Sequence, residues 1–128
     1  MSTTPGHAYF DAHVGFLMGN EVEKLVKAQY TEDAILISPF DVLPGKTPPN
    51  IVRGRAAIQD FLSKWLAYHG PSEYQALDMF AETDDSISFH AVMKSQTGLW
   101  MLGEAWHVTG GFPNGMIDRH YGFAHKLS

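Results

Sequence analysis

The chain of 128 residues carries nine Lys and Arg against fourteen Asp and Glu, a formal net charge of −5, and no cysteine. Its length predicts one domain, residues 1–128, and the missing cysteine excludes disulfides, thiolate chemistry and Cys-ligated metal centres. The basic residues are scattered singly apart from Arg53 and Arg55, so the positive stripe that nucleic acid requires is missing.

The N-terminal residues lack the basic and apolar regions of a secretory signal, and no segment approaches the roughly 18 apolar residues of a membrane span. We therefore expect a cytoplasmic protein without membrane association.

The first predicted element is a helix over residues 9–30, broken near Gly19-Asn20. Phe10, Val14 and Leu17 repeat at helical spacing, and the pattern resumes at Val22.

A short apolar strand follows at residues 33–40, and then a proline-rich loop at 41–50. The next element is a helix within residues 54–71, where Ile58, Phe61 and Leu62 fall on one face and Gly70-Pro71 ends the pattern. After it the apolar period changes to two, which predicts strands at about 73–82, 86–96, 99–108 and 116–125. This order predicts an α+β domain whose helices cover one face of a curved antiparallel sheet.

Glu104 is an acid within an apolar run, "GLWMLGEAWHV", that has the length of a strand. The two-residue period places it on the same face as Trp100, Leu102 and Trp106. If Thr97-Gly98 is the two-residue loop of a hairpin, Glu104 lies opposite Ala91, and this bulky face is the one that packs under the helices. The carboxylate is then either an acid or base of a site or half of an internal ion pair.

The last strand divides by the same period into two sets of side chains. The bulkier set contains Ile117, Arg119, Tyr121 and His125, and we expect it to face inward for that reason. This would place Arg119 and Tyr121 beside Glu104.

Three segments, "GNEVEKLVKAQYTEDAILISP", "GRAAIQDFLSKWL" and "NGMIDRHYGFAHKL", occur in an order that resembles the nuclear transport factor two-like superfamily, in particular its SnoaL-like branch. The resemblance covers about residues 8 to 126. It implies a cone-shaped curved antiparallel sheet wrapped around N-terminal helices, a cystatin-like α+β barrel with an apolar pocket, commonly in a homodimer. Ketosteroid isomerase, limonene epoxide hydrolase, scytalone dehydratase and polyketide cyclases share this fold with non-catalytic binding modules, so fold alone leaves function open.

The resemblance also implies where catalytic groups would lie. The general base of ketosteroid isomerase is an aspartate that corresponds to Ser38 here, and a serine cannot replace it. The phenol donor of that enzyme falls near residues 12–14, which include His13. The acid and arginine of the epoxide hydrolase have counterparts in Glu104 and Arg119, without a second inward acid. The His, Asp and Tyr groups of scytalone dehydratase and its relatives have an approximate counterpart in His13, Glu104, Tyr121 and His125, without a matching motif.

Two functions are compatible with these residues. The first is a cofactor-independent enzyme that isomerises, dehydrates, cyclises or opens an epoxide in a small, largely apolar or polycyclic molecule. Glu104 and His13 would move the proton, and Arg119 or Tyr121 would stabilise developing negative charge. The second is a non-catalytic module for ligand binding or dimerisation, with Glu104 neutralised by Arg119.

The spacing of the seven histidines does not favour a metal site, and the sequence has no dinucleotide or phosphate-binding motif, so we expect neither metal nor cofactor. The candidate catalytic residues are Glu104, His13, Arg119 and Tyr121, and the candidate ligand-binding residues are Trp100, Trp106, Phe89, Phe61, Val14 and His125.

Overall fold

The computed structural model describes residues 4–38 and 50–128. Over these ranges the chain forms three helices and six strands. In chain order the elements are α1 (Pro5–Met18), α2 (Val22–Gln29), β1 (Tyr30–Ser38), β2 (Asn50–Arg53), α3 (Arg55–His69), β3 (Glu73–Glu82), β4 (Ser86–Ser95), β5 (Gly98–Thr109) and β6 (Met116–Lys126). Only β2 was not predicted; it begins at the last residue of the predicted loop, and the rest of that loop, residues 41–49, is outside the described ranges.

The six strands form one sheet in the order β2-β1-β6-β5-β4-β3. Strands β3 to β6 make the predicted antiparallel meander. Strand β1 extends it by pairing parallel with β6, and β2 pairs antiparallel with β1. Apolar side chains of all three helices join those of one sheet face in a single core, which confirms the predicted α+β class.

The predicted break between α1 and α2 is confirmed. Asn20 has a φ of 56°, a left-handed conformation that Asn tolerates better than most residues, and Gly19 caps α1. Helix α1 begins four residues before the predicted start because Thr4 accepts a hydrogen bond from the His7 amide and Pro5 occupies the first turn. The apolar period contains no signal for that extra turn.

The β4–β5 hairpin has the predicted inward face but a register shifted by two residues. Ser95 pairs with Gly98, so the two-residue loop is Gln96-Thr97. The Thr97 hydroxyl closes this loop by bonding to the Ser95 hydroxyl at 2.8 Å. Because side chains alternate with a period of two, Glu104 keeps the predicted face and lies opposite Phe89 instead of Ala91.

Strand β6 contains a bulge that reverses the predicted face beyond it. His107 pairs with Arg119, whereas the next residue, Val108, pairs with Ile117, so Asp118 has no partner of its own. A bulge of one residue interrupts the alternation, and both Ile117 and His120 are buried. The predicted inward positions of Arg119, Tyr121 and His125 are therefore wrong.

No helix within residues 4–38 and 50–128 has the length and apolar character needed to cross a membrane.

Candidate active site

A cavity lies between helices α1 and α3 and the inner face of the sheet, and its volume is about 70 Å³. Aromatic side chains form a large part of its wall. The aromatic lining residues are Phe10, Phe61, Trp65, Tyr74, Phe89 and Trp106. Drug-sized pockets begin at about 300 Å³, so this cavity favours the small ligand over the polycyclic one that the resemblance allowed.

Glu104 provides the carboxylate of this cavity. It lies on β5 opposite Gly122, whose missing side chain leaves room beside it. Its Oε1 atom accepts hydrogen bonds from Trp106 Nε1 at 2.9 Å and from His120 Nε2 at 2.7 Å. Its Oε2 atom has no protein partner among the described residues, and the side chain is 18% exposed. One oxygen is therefore held in place while the other stays available to a ligand.

His120 connects Glu104 to a buried tyrosine. The Tyr30 hydroxyl lies 2.7 Å from His120 Nδ1, and Tyr30 is fully buried. If His120 is neutral, Nε2–H donates to Glu104 and the Tyr30 hydroxyl donates to Nδ1, so every proton has an acceptor. If His120 were charged, Nδ1–H would donate to Tyr30, whose own proton would then find no acceptor in the described structure. Hydrogen-bond accounting thus selects neutral His120.

The surroundings of Glu104 keep it ionised. Burial raises the pKa of its carboxyl, but the electrostatic attraction of His120, together with the hydrogen bonds from His120 and Trp106, outweighs that effect and brings the pKa below its ordinary value. Glu104 is therefore an anion at neutral pH, within a wall that contains no other acidic side chain among the described residues.

His13 lies on α1, which covers the cavity, and it is only 3% exposed. Its Nδ1 atom lies 3.0 Å from Gln29 Oε1, and Gln29 Nε2 donates to the Tyr9 carbonyl at 3.2 Å. Because the second bond fixes the Gln29 oxygen as an acceptor, His13 Nδ1 carries the proton. Nε2 has no hydrogen-bond partner within residues 4–38 and 50–128, so its lone pair is available.

Burial, and to a smaller extent electrostatic repulsion from His120, lower the pKa of His13 to about 4, against weaker opposing effects of Glu104 and Gln29. His13 is therefore neutral at physiological pH. Its ring packs on Trp106 at a centroid distance of 4.3 Å, which places the imidazole close to the indole that holds Glu104.

The cavity brings together six of the ten residues that the sequence singled out. These are His13, Val14, Phe61, Phe89, Glu104 and Trp106. Ser38, at the position of the ketosteroid isomerase base, also lines it.

The structure places the other four residues elsewhere. Arg119, Tyr121 and His125 are exposed, because the bulge at Asp118 turns them to the outer face, so their predicted inward positions are wrong. Trp100 is buried away from the cavity, where its indole donates to Thr97 at 2.8 Å.

Two residues of the site were missed. His120 was assigned to the outward set, and the sequence does not signal the bulge that moves it inward. Tyr30 was assigned to the end of a helix, although its aromatic character and the "TEDAILIS" segment after it are typical of a strand start. Among residues 4–38 and 50–128, no group of three or more His, Asp or Glu side chains is placed to share a metal ion.

No protein-family model matches the chain, and no curated protein matches it. Its structure, however, is similar to solved structures over nearly its whole length.

Three of these solved structures show the similarity, each at low sequence identity to the chain. An NTF2-like protein from Anabaena variabilis has a TM-score of 0.74 at 14% identity, over 98% of this chain and 96% of that one. IdmH, a proposed polyketide cyclase from Streptomyces antibioticus, has a TM-score of 0.72 at 12% identity, over 95% and 92%. A proposed isomerase of the SnoaL-like family from Agrobacterium tumefaciens has a TM-score of 0.66 at 12% identity, over 93% and 97%. The chain therefore has the nuclear transport factor two-like fold that its sequence resembles.

Proposed function

We propose that this protein is a cofactor-independent enzyme that moves a proton on a small, largely apolar molecule bound in the cavity. The observation that carries the proposal is the state of Glu104, an anion that lines the cavity, whose Oε1 is held by two hydrogen bonds and whose Oε2 has no protein partner among the described residues. A general base needs a fixed position and an unoccupied oxygen, and Glu104 has both. The similarity to structures named for isomerase and cyclase activities agrees with this chemistry.

In this proposal Glu104 Oε2 takes a proton from the substrate, and the same carboxylic acid returns it at a second position. His120 is a positioning residue, since its Nε2–H bond orients the carboxylate, and Tyr30 in turn fixes the tautomer of His120. The neutral imidazole of His13 accepts a hydrogen bond from the substrate and so orients it. Arg119 and Tyr121 have no part, because they lie on the other face of the sheet.

A non-catalytic binding module remains the second candidate, and one observation favours it. The hydrogen bonds that hold Glu104 also keep the pKa of its carboxyl low, which makes it a weaker base. The neutralisation by Arg119 that the sequence suggested for such a module does not occur, since the two side chains are on opposite faces.

Deuterium uptake from heavy water tests the proposal on a panel of compounds that represents the candidate substrate classes. Small apolar ketones, hydroxy compounds and epoxides are incubated with the protein in D₂O and followed by mass spectrometry for uptake at carbon or for conversion. We expect the wild type to act on at least one of them and Glu104→Gln to be slower by about 10²- to 10⁴-fold, the usual contribution of a general base.

The matched control is Glu73→Gln, the same change at an exposed position at the start of β3. It should react like the wild type. If Glu104→Gln retains the wild-type rate, or if no compound reacts although ligands bind, the enzymatic function is wrong and the binding module is supported.

A further inference from the structure

The open polar atoms of Glu104 and His13 have one property in common: both are hydrogen-bond acceptors. Glu104 presents the ionised Oε2 atom, and His13 presents the lone pair of Nε2 because its only ring proton is donated to Gln29. The low pKa of His13, about 4, keeps this nitrogen unprotonated at neutral pH. Neither group can donate a hydrogen bond to a ligand in this state.

The cavity also carries a net negative charge. His120 is neutral by the hydrogen-bond accounting, and Glu104 is the single acidic side chain among the described residues that line the cavity. No Lys or Arg of the described chain lines it. The nearest arginine in sequence on β6, Arg119, is turned to the outer face by the bulge. A second anion in this enclosed space would therefore meet Glu104 without any compensating cation.

We propose that the ligand is a small apolar molecule that presents a hydroxyl or ammonium hydrogen-bond donor to Glu104 Oε2 and His13 Nε2, and that the cavity excludes carboxylates. This inference concerns the site of the proposed function and rests on it for the role of Glu104. The donor satisfies the open acceptors, and an ammonium group would in addition neutralise the carboxylate.

The aromatic part of the cavity wall suits such a molecule chemically. Phe10, Phe89 and Trp106 line the cavity and pack on one another edge to face or tilted, with centroid distances between 4.6 and 6.0 Å. Aromatic faces bind an apolar ring, and they also attract a cation through their quadrupoles. The same acceptors and aromatic rings can therefore bind an aromatic molecule that carries either a hydroxyl or an ammonium group. Experiment decides which of the two is preferred.

Three probes of nearly equal shape test this inference: benzyl alcohol, benzylammonium and benzoate. Their dissociation constants are measured at pH 7.5 by tryptophan fluorescence and by NMR line shifts, with toluene as the probe that lacks a polar group. We expect the alcohol, the ammonium ion or both to bind at least tenfold more tightly than benzoate and more tightly than toluene. The stronger of the two identifies a hydroxyl or a cationic ligand.

The preference should depend on Glu104. In Glu104→Gln we expect the discrimination against benzoate to fall by about tenfold, whereas Glu73→Gln should keep it. Benzoate binding as tightly as the alcohol and the ammonium ion, or no binding of either donor at tens of millimolar, overturns the inference. Donor preference without any deuterium uptake would refute the enzymatic function alone, and uptake without donor preference would refute only this inference.

Discussion

The buried imidazole of His13 should make the stability of the fold depend on pH in a defined range. The unfolded chain binds a proton at His13 near its ordinary pKa of 6.5, whereas the folded chain does so only near 4. Between these values the unfolded state binds more protons, so the free energy of unfolding falls as the pH falls. This contribution is fully present above about pH 7 and is lost by about pH 4.

The magnitude follows from the two pKa values. At about 1.4 kcal/mol per pH unit, the difference between 6.5 and about 4 corresponds to roughly 3 kcal/mol. His13 is 3% exposed, so solvent screening takes little from this figure. Against a typical stability of about 5–15 kcal/mol, the effect is large enough to measure.

His13→Asn isolates the contribution. The asparagine amide places an N–H near the position of Nδ1, so it can still donate to Gln29 Oε1, but it does not titrate. We expect urea unfolding of the wild type to lose roughly 3 kcal/mol more between pH 7.5 and 4 than that of the variant. The variant His90→Asn, at an exposed position of β4, is the control and should follow the wild type.

Parallel pH profiles of the wild type and His13→Asn would refute this reasoning. They would mean that His13 can be protonated inside the fold, and the acceptor character of its Nε2 atom would be lost with it.

Two further predictions concern hydrogen bonds on the two faces of the sheet. Tyr30→Phe should lower the free energy of unfolding by about 1–3 kcal/mol in urea titrations, because His120 Nδ1 loses its hydrogen-bond donor. An unchanged stability would contradict the hydrogen bond from Tyr30 to His120. Asp118 accepts a 2.6 Å hydrogen bond from exposed His107 and, together with Asp85, raises the pKa of that imidazole. Asp118→Asn should therefore lower the pKa of His107, measured by NMR titration. An unshifted titration curve would contradict the pairing of Asp118 with His107.

The apolar periods of the sequence were sufficient to predict the helices and the meander. They also placed Glu104 on the inner face, even though the hairpin register was off by two residues. An even shift leaves every side chain on its own face, so the face of a strand is better determined by sequence than its cross-strand partner. The cross-strand partner of Glu104 is Phe89 because the hairpin loop is Gln96-Thr97, one residue earlier than the predicted loop that contained Gly98. The Thr97 hydroxyl closes this earlier loop.

The partner of the acid could not be predicted, because it depends on a bulge. Arg119, His120 and Tyr121 are consecutive, and an uninterrupted strand alternates their faces so that Arg119 and Tyr121 share one and His120 takes the other. Size and apolar character favoured the first set, whereas the unpaired Asp118 reverses the choice. The position of the bulge at Asp118 is partly explained by the hydrogen bond of its carboxylate to His107 on the outer face. This contact joins residues that are distant in sequence, so no local sequence pattern reveals it.

This single bulge determines the chemistry of the cavity as well as its geometry. An arginine beside Glu104 would bring a permanent charge, since guanidinium does not lose its proton in proteins, and the pair would be neutral and fully occupied. Imidazole can instead be neutral, and with Tyr30 donating to its far nitrogen it orients Glu104 without cancelling its charge. Without the bulge in β6, Glu104 would form an internal ion pair with Arg119. With the bulge, it is an ionised acid with an open oxygen, and only in this form can it take a proton from a ligand.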